Sequence, residues 1–206
     1  MSTTISLFAE HKDGNNWVSL TPVEKNPYYD PDDFDDAILE PLYKPLEIDV
    51  GQNYSLFAIL ANARNGNKTE GDFEYIAPPR GLPEDVSDII RAWYDSWEGY
   101  AHNASWLYFE EILNFDWKDK VIQRCAMVDP RVAHLFRDNP LGFPSKNWPT
   151  GVQMSYATYM KEGVEVRWKQ TYAEAAQFEF LTNNLLKFQR KEYAPKTLRA
   201  VFWFDS

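Results

Sequence analysis

Residues Leu198 to Phe204 run Leu-Arg-Ala-Val-Phe-Trp-Phe, and both alternating sets are largely apolar. A strand with one wet face alternates apolar and polar side chains, so this run predicts an inner strand of a sheet covered on both faces. The chain has the material to cover it. Among 206 residues are eight Trp, twelve Tyr and thirteen Phe, enough apolar area for a substantial core and against global disorder. That length suits one domain, 1–206.

The rest of the chain reads as α+β: a mixed or antiparallel sheet with helices packed on it. Residues 2–10 and 17–21 predict two strands around Asp13-Gly14, a turn signal. An acidic loop over 25–45 carries Pro27, Pro31, Pro41 and Pro45, which remove backbone donors, and a short strand, 46–50, follows. Residues 53–65 predict a helix that is apolar nearly all round, ended by Gly66. Val86, Ile89, Ile90, Trp93 and Trp97 predict a second helix, started by Pro83-Glu84-Asp85 and stopped by Gly99. A third is expected from Ser105 as N-cap, with Trp106, Phe109 and Leu113 facing inward.

Four prolines between Pro130 and Pro149 mark 118–150 as an irregular excursion, within which 121–128 reads as a strand or a helical turn. Strands 152–160 and 164–170 are expected to form a hairpin across Lys161-Glu162-Gly163, with 164–170 inside the same sheet as 198–204. Thr171-Tyr172-Ala173-Glu174 is a capping box, predicted to open a helix over 173–190.

The net charge of −10 has a location. Between Asp30 and Asp49 eight acids meet Lys44 alone, so this segment supplies seven of the ten excess negatives. Such a balance opposes direct nucleic-acid binding, which depends on neutralising phosphates. The cluster Lys187, Arg190, Lys191, Lys196 and Arg199 falls where cations complement a helix C-terminus. No run of about 18 apolar residues marks a membrane span, and the first residues carry no secretory signal. A lone cysteine, Cys125, makes no internal disulfide and fits a reducing cytoplasm.

Segments Asn53 to Asn65, Pro79 to Ser87, His102 to Leu107 and Val201 to Asp205 occur as a set in one order. That set resembles an uncharacterised family of proteins encoded by bacteriophages, prophages and some bacteria. The resemblance covers most of the chain and implies a phage or mobile-element origin. It implies no activity and no catalytic residue.

Catalytic motifs are weak throughout. His11, His102, His134 and Cys125 lack the spacing of a zinc site, and Cys125 with His134 reads as a buried cysteine rather than a nucleophile and base. The Asp30 to Asp36 run has Phe34 where a calcium loop needs a ligand. Glu165-Val166-Arg167 has Arg where a metal-dependent nuclease uses Lys, and Gln177-Phe178-Glu179 falls inside the capped helix. Trp106, Trp117, Trp168 and Trp203 read as core. The remaining polar cluster is Arg64, Asn65, Arg80, His102 and Asp116, at the ends of expected elements, with His102, Arg80 and Arg64 as the catalytic candidates.

These observations favour a non-enzymatic accessory protein of a phage or mobile element, working in the host cytoplasm without metal or cofactor. It would bind a basic host protein, such as a defence or nucleic-acid enzyme, through Asp30, Asp32, Asp33, Asp35 and Asp36. The alternatives are a small enzyme of unfamiliar type using His102, Arg80 and Arg64, and a minor virion component.

Overall fold

Leu198–Asp205 is the central strand, and seven of its eight residues are buried. A computed structural model describes residues 3–30, 41–66, 72–97, 99–190 and 192–205. The chain is an α+β domain with an antiparallel sheet and helices packed on it. Its contacts gather into two compact units, one of residues 1–53, 75–115 and 179–206, the other of 54–74 and 116–178.

The first unit holds the four-stranded sheet. In chain order its strands are β1 (Thr4–Asp13), β2 (Asn16–Ser19), β5 (Ala101–Tyr108) and β8 (Leu198–Asp205), arranged β2-β1-β8-β5. The hairpin of β1 and β2 turns at Gly14 and Asn15 in the expected place, with Asp13 opposite Asn16 and Gly14 at a φ of +59°. β1 runs antiparallel to β8 from Thr4↔Asp205 to His11↔Leu198. Directly opposed residues share a face, so Phe8, Glu10, Arg199, Val201 and Trp203 lie together. Helix α2 (Asp88–Asp95) covers that face, placing Ile90 and Trp93 against Phe8, Val201 and Trp203. The opposite face, with Leu7, Ala9, Leu107, Ala200 and Phe202, is equally buried. Both alternating sets of β8 are largely apolar because neither face meets water.

Two further strands, β3 (Val23–Lys25) and β4 (Tyr43–Pro45), form a separate antiparallel ribbon. The strand expected over 46–50 is absent. Ile48 donates one backbone hydrogen bond to the Leu7 carbonyl at 2.8 Å, and the ladder is made by residues 43–45 instead.

The second unit holds helix α1 (Tyr54–Ala61) and the antiparallel pair β6 (Val121–Val128) and β7 (Val164–Thr171). Seven of the eight α1 residues are buried, as its all-round apolar sequence requires. The helix stops before Gly66, because Asn62 already adopts a left-handed φ of +57°. Between the strands, 118–150 includes short 3-10 turns at Pro130–Phe136 and Ser145–Asn147.

Several expected elements take another form. Helix α2 begins at Asp88 rather than after Pro83, because Pro83-Glu84-Asp85 turns and the Ser87 N–H donates to the Glu10 carboxylate at 2.7 Å. The helix expected from Ser105 is strand β5, and the helical turn α3 (Phe109–Asn114) starts only at its end, burying Phe109 and Ile112. Eight residues of β7 pair with β6, so 164–170 lies outside the four-stranded sheet. Residues 152–160 keep a single bridge, Ala157 with Met127.

The capping box forms. Glu174 N–H donates to Thr171 Oγ1 at 3.2 Å, and Thr171 N–H to Glu174 Oε2 at 3.3 Å. It opens only the short α4 (Tyr172–Ala175), since Gln177 at φ +51° separates it from α5 (Phe178–Leu185). Gln177 therefore marks a break, and Phe178 and Glu179 open the next helix rather than lying in a helix interior. Thr171→Ala should lower stability by about 1 kcal/mol, read as a shifted urea midpoint at constant slope. An unchanged midpoint would deny the cap a role.

Candidate functional site

Arg80 is tied into the first unit through its backbone N–H and both terminal guanidinium nitrogens. Its backbone N–H donates to Ser105 Oγ at 3.1 Å, and its guanidinium lies over the Trp106 ring, 4.7 Å from the centroid. One terminal nitrogen donates to Glu111 Oε2 at 2.9 Å and to the Trp106 carbonyl at 3.1 Å, while the other bonds Glu111 Oε1. This bidentate bond, with the Glu111 charge, raises the Arg80 pKa and outweighs desolvation. The same bond to Arg80 holds Glu111 below its ordinary value despite partial burial, helped by the Tyr108 N–H at 2.8 Å. A guanidinium so engaged fastens residues 79–82 to β5 and α3.

His102 lies at the start of β5, beside a bulge between His102 and Ser105 where Asn103 takes a φ of +49°. Its Nδ1 is 3.0 Å from Asn103 Oδ1, and its ring stacks on Phe204 at 6.1 Å. Arg80 and His102 thus both attach to β5, at different positions along it. Arg64 belongs to the second unit, in the turn after α1 with a φ of +57°. Asn65, beside it, exchanges two hydrogen bonds with the Phe73 backbone, at 2.7 and 2.8 Å. Asp116 accepts the Asp119 N–H at 3.0 Å. For Arg80, Asn65 and Asp116 these contacts build local structure.

Trp117, Trp168 and Trp203 are buried, whereas Trp106 is half-buried beneath Arg80, and Cys125 is also only half-buried. No group of three or more His, Cys, Asp and Glu among the described residues is placed to hold a metal. No described helix is long and apolar enough to cross a membrane.

Of the acidic candidates, Asp30 is exposed, while Asp32, Asp33, Asp35 and Asp36 lie outside the described residues. Buried Asn26 donates its backbone N–H to the Leu42 carbonyl at 2.9 Å and its side-chain amide to the Pro41 carbonyl at 3.1 Å. Its Oδ1 accepts the Tyr28 N–H at 3.1 Å. Asn26, through its backbone and its side chain, therefore holds residues 26–28 to residues 41–42.

Beyond this clamp lies the β3–β4 ribbon. Its Glu24–Lys44 pair, 3.5 Å apart, shares one face, and Lys44 Nζ sits over the Trp93 ring of α2 at 5.6 Å. Val23, Lys25 and Tyr43 share the other face. Val23 is 51% exposed and Tyr43 53%, with Tyr28 at 75% and Leu42 and Leu46 also exposed. Two exposed strands rarely persist alone, so packing against α2 is what keeps this ribbon in place.

Sequence reasoning passed over the ribbon because three-residue strands carry too few side chains to show alternation. Val23 and Tyr43, residue types that favour strands, were the available signal. Comparison with family models, with curated proteins and with solved structures yields no match for this chain.

Proposed function

We propose that the chain is a phage or mobile-element accessory protein that binds a basic host protein without catalysis. The contact surface is the β3–β4 ribbon together with the adjoining acidic segment. The observation that carries this reading is the exposed apolar set Val23, Tyr28, Leu42 and Tyr43, which in sequence flanks the segment carrying Asp30 and the acids that follow it. Interfaces concentrate tyrosine and apolar area at their centre and place charge at the rim. An acidic rim attracts a basic partner from a distance, and the apolar centre then sets how long it stays. Nucleic-acid enzymes of a host defence system carry such basic surfaces, and the host cytoplasm is where they would be met. The engaged state of Arg80 supports a fastening role there rather than catalysis.

Two variants separate the contributions, once the partner has been captured from bacterial lysate with the tagged protein and purified. Replacing Asp32, Asp33, Asp35 and Asp36 with Asn should leave folding intact and slow association at low salt. Most of that loss should vanish near 1 M salt, where the Debye length is about 3 Å. Val23→Ser with Tyr43→Ser should instead speed dissociation at every salt concentration. Wild-type kinetics for both variants would remove this surface as the binding site.

A further inference from the structure

The second unit contains a cavity of about 800 Å³, within the usual span of small-molecule sites. Phe143, Tyr156 and Trp168 form its aromatic wall. Their ring centroids are 5.3 to 5.7 Å apart, with interplanar angles from 44° to 81°. Rings this close touch one another and leave no room for a cation between them, so they make a wall rather than a cage. Tyr156 is 60% exposed, and Met154 beside it is also exposed, so apolar surface stands uncovered at the mouth.

The polar groups lie around this wall. Arg124 and Gln170 share the inner face of the β6–β7 pair with Trp168. Arg124 is held in place, its Nε donating to Gln170 Oε1 at 3.0 Å, one terminal nitrogen to Ser55 Oγ at 3.0 Å, and its guanidinium over the Phe73 ring at 5.7 Å. Ser155, Thr158 and Gln177 also line the cavity and make no side-chain hydrogen bond to another described residue. Glu174 supplies a carboxylate opposite in sign to Arg124, so the charged lining balances.

We infer that this pocket takes a neutral, planar heteroaromatic molecule of nucleoside size. A flat ring system stacks on the exposed face of Tyr156, and hydroxyl and amide side chains meet donors and acceptors along its edge. The balanced lining and the net charge of −10 disfavour a polyphosphate. The inference concerns the second unit alone and is independent of the ribbon in the first.

The test titrates the full chain with adenosine, guanosine, cytidine and thymidine, read by calorimetry and by saturation transfer to ligand aromatic protons. Adenosine monophosphate and methyl glucoside are run alongside. At least one nucleoside should bind with a dissociation constant below 1 mM, no weaker than the monophosphate. Tyr156→Ala should weaken it by about tenfold or more, and Tyr156→Phe, which keeps the ring, by less than about threefold. Should Tyr156→Ala not fold, Thr158→Val at an exposed position serves in its place, with an expected loss of about threefold or more. The inference is overturned by no nucleoside binding at 1 mM, by preference for the glycoside or the monophosphate, or by unchanged affinity in the folded variant.

Discussion

Glu10→Ala is expected to cost about 3–5 kcal/mol, because it strands a buried cation. Glu10 is 0% exposed and Arg199 2%, directly opposite each other on β1 and β8, with Arg199 Nε donating to Glu10 Oε2 at 2.7 Å. Arg199 is also stacked on the Trp17 ring at 4.0 Å and bonded to Asp85 at 2.7 Å. Desolvation pushes the Asp85 pKa up, but the hydrogen bond and charge of Arg199 outweigh it and hold Asp85 below its ordinary value. Asp85 lies toward the surface and offers Arg199 less than the buried Glu10 does. The substitution also orphans the Ser87 N–H at the start of α2. Arg199→Met alone should cost a similar amount by leaving the Glu10 carboxyl buried without its main partner, while the double variant should lose much less than the sum. Urea denaturation of the four proteins measures this cycle. A loss under 1 kcal/mol for Glu10→Ala would mean that Asp85 and Trp17 suffice to hold Arg199.

Trp203→Ala should lower stability by a comparable amount, about 3–5 kcal/mol. Its side chain is fully buried among Phe8, Val86, Ile90, Trp93 and Val201, 5.1 Å from the rings of both Phe8 and Tyr94. Trp203→Phe is the informative control. The indole Nε1 is buried without a hydrogen-bond partner among the described residues, so phenylalanine removes a desolvated donor along with the apolar area. The Phe variant should therefore lose less than half of what the Ala variant loses. Equal losses would show that Nε1 has found a partner, such as an internal water.

The contrast between legible and illegible parts of this fold follows the range of the interactions involved. The β1–β2 hairpin and the Thr171–Glu174 box are local, so turn chemistry and spacing reveal them. β8 announces itself because burial on both faces needs an apolar run whatever its partners. β5 was misread because Trp106, Phe109 and Leu113 fall at helical spacing, while the pairing with Phe202, Val201 and Ala200 that makes it a strand is distant in sequence. Its bulge at Asn103 also breaks the alternation. Residues 152–160 alternate convincingly, but β7 spends its ladder on β6.

The same distinction governs the candidate sites. Arg80 looked available because its carboxylate partner, Glu111, lies 31 positions away. In the sequence Glu10 is one polar letter in a strand, and its partner is 189 positions distant. The cavity walls come from Phe143, Tyr156 and Trp168, residues of an irregular stretch and a strand that no periodicity links.

The pairing of β1 with β8 bears on how the protein is made. Thr4 and Asp205 are 201 positions apart and bonded through Thr4 Oγ1 and Asp205 Oδ1 at 2.5 Å. β1 and β5 are not neighbours in the sheet, and β8 lies between them. At about 5–20 residues per second, a ribosome takes roughly 10–40 s to travel between these positions. Throughout that interval β1 lacks its β8 partner, and β5 lacks it from the time it is made, leaving edges that are a template for association between nascent chains. The four-stranded sheet therefore cannot close until β8 has been made, and a frameshift or nonsense codon before position 198 removes the strand that joins β1 to β5.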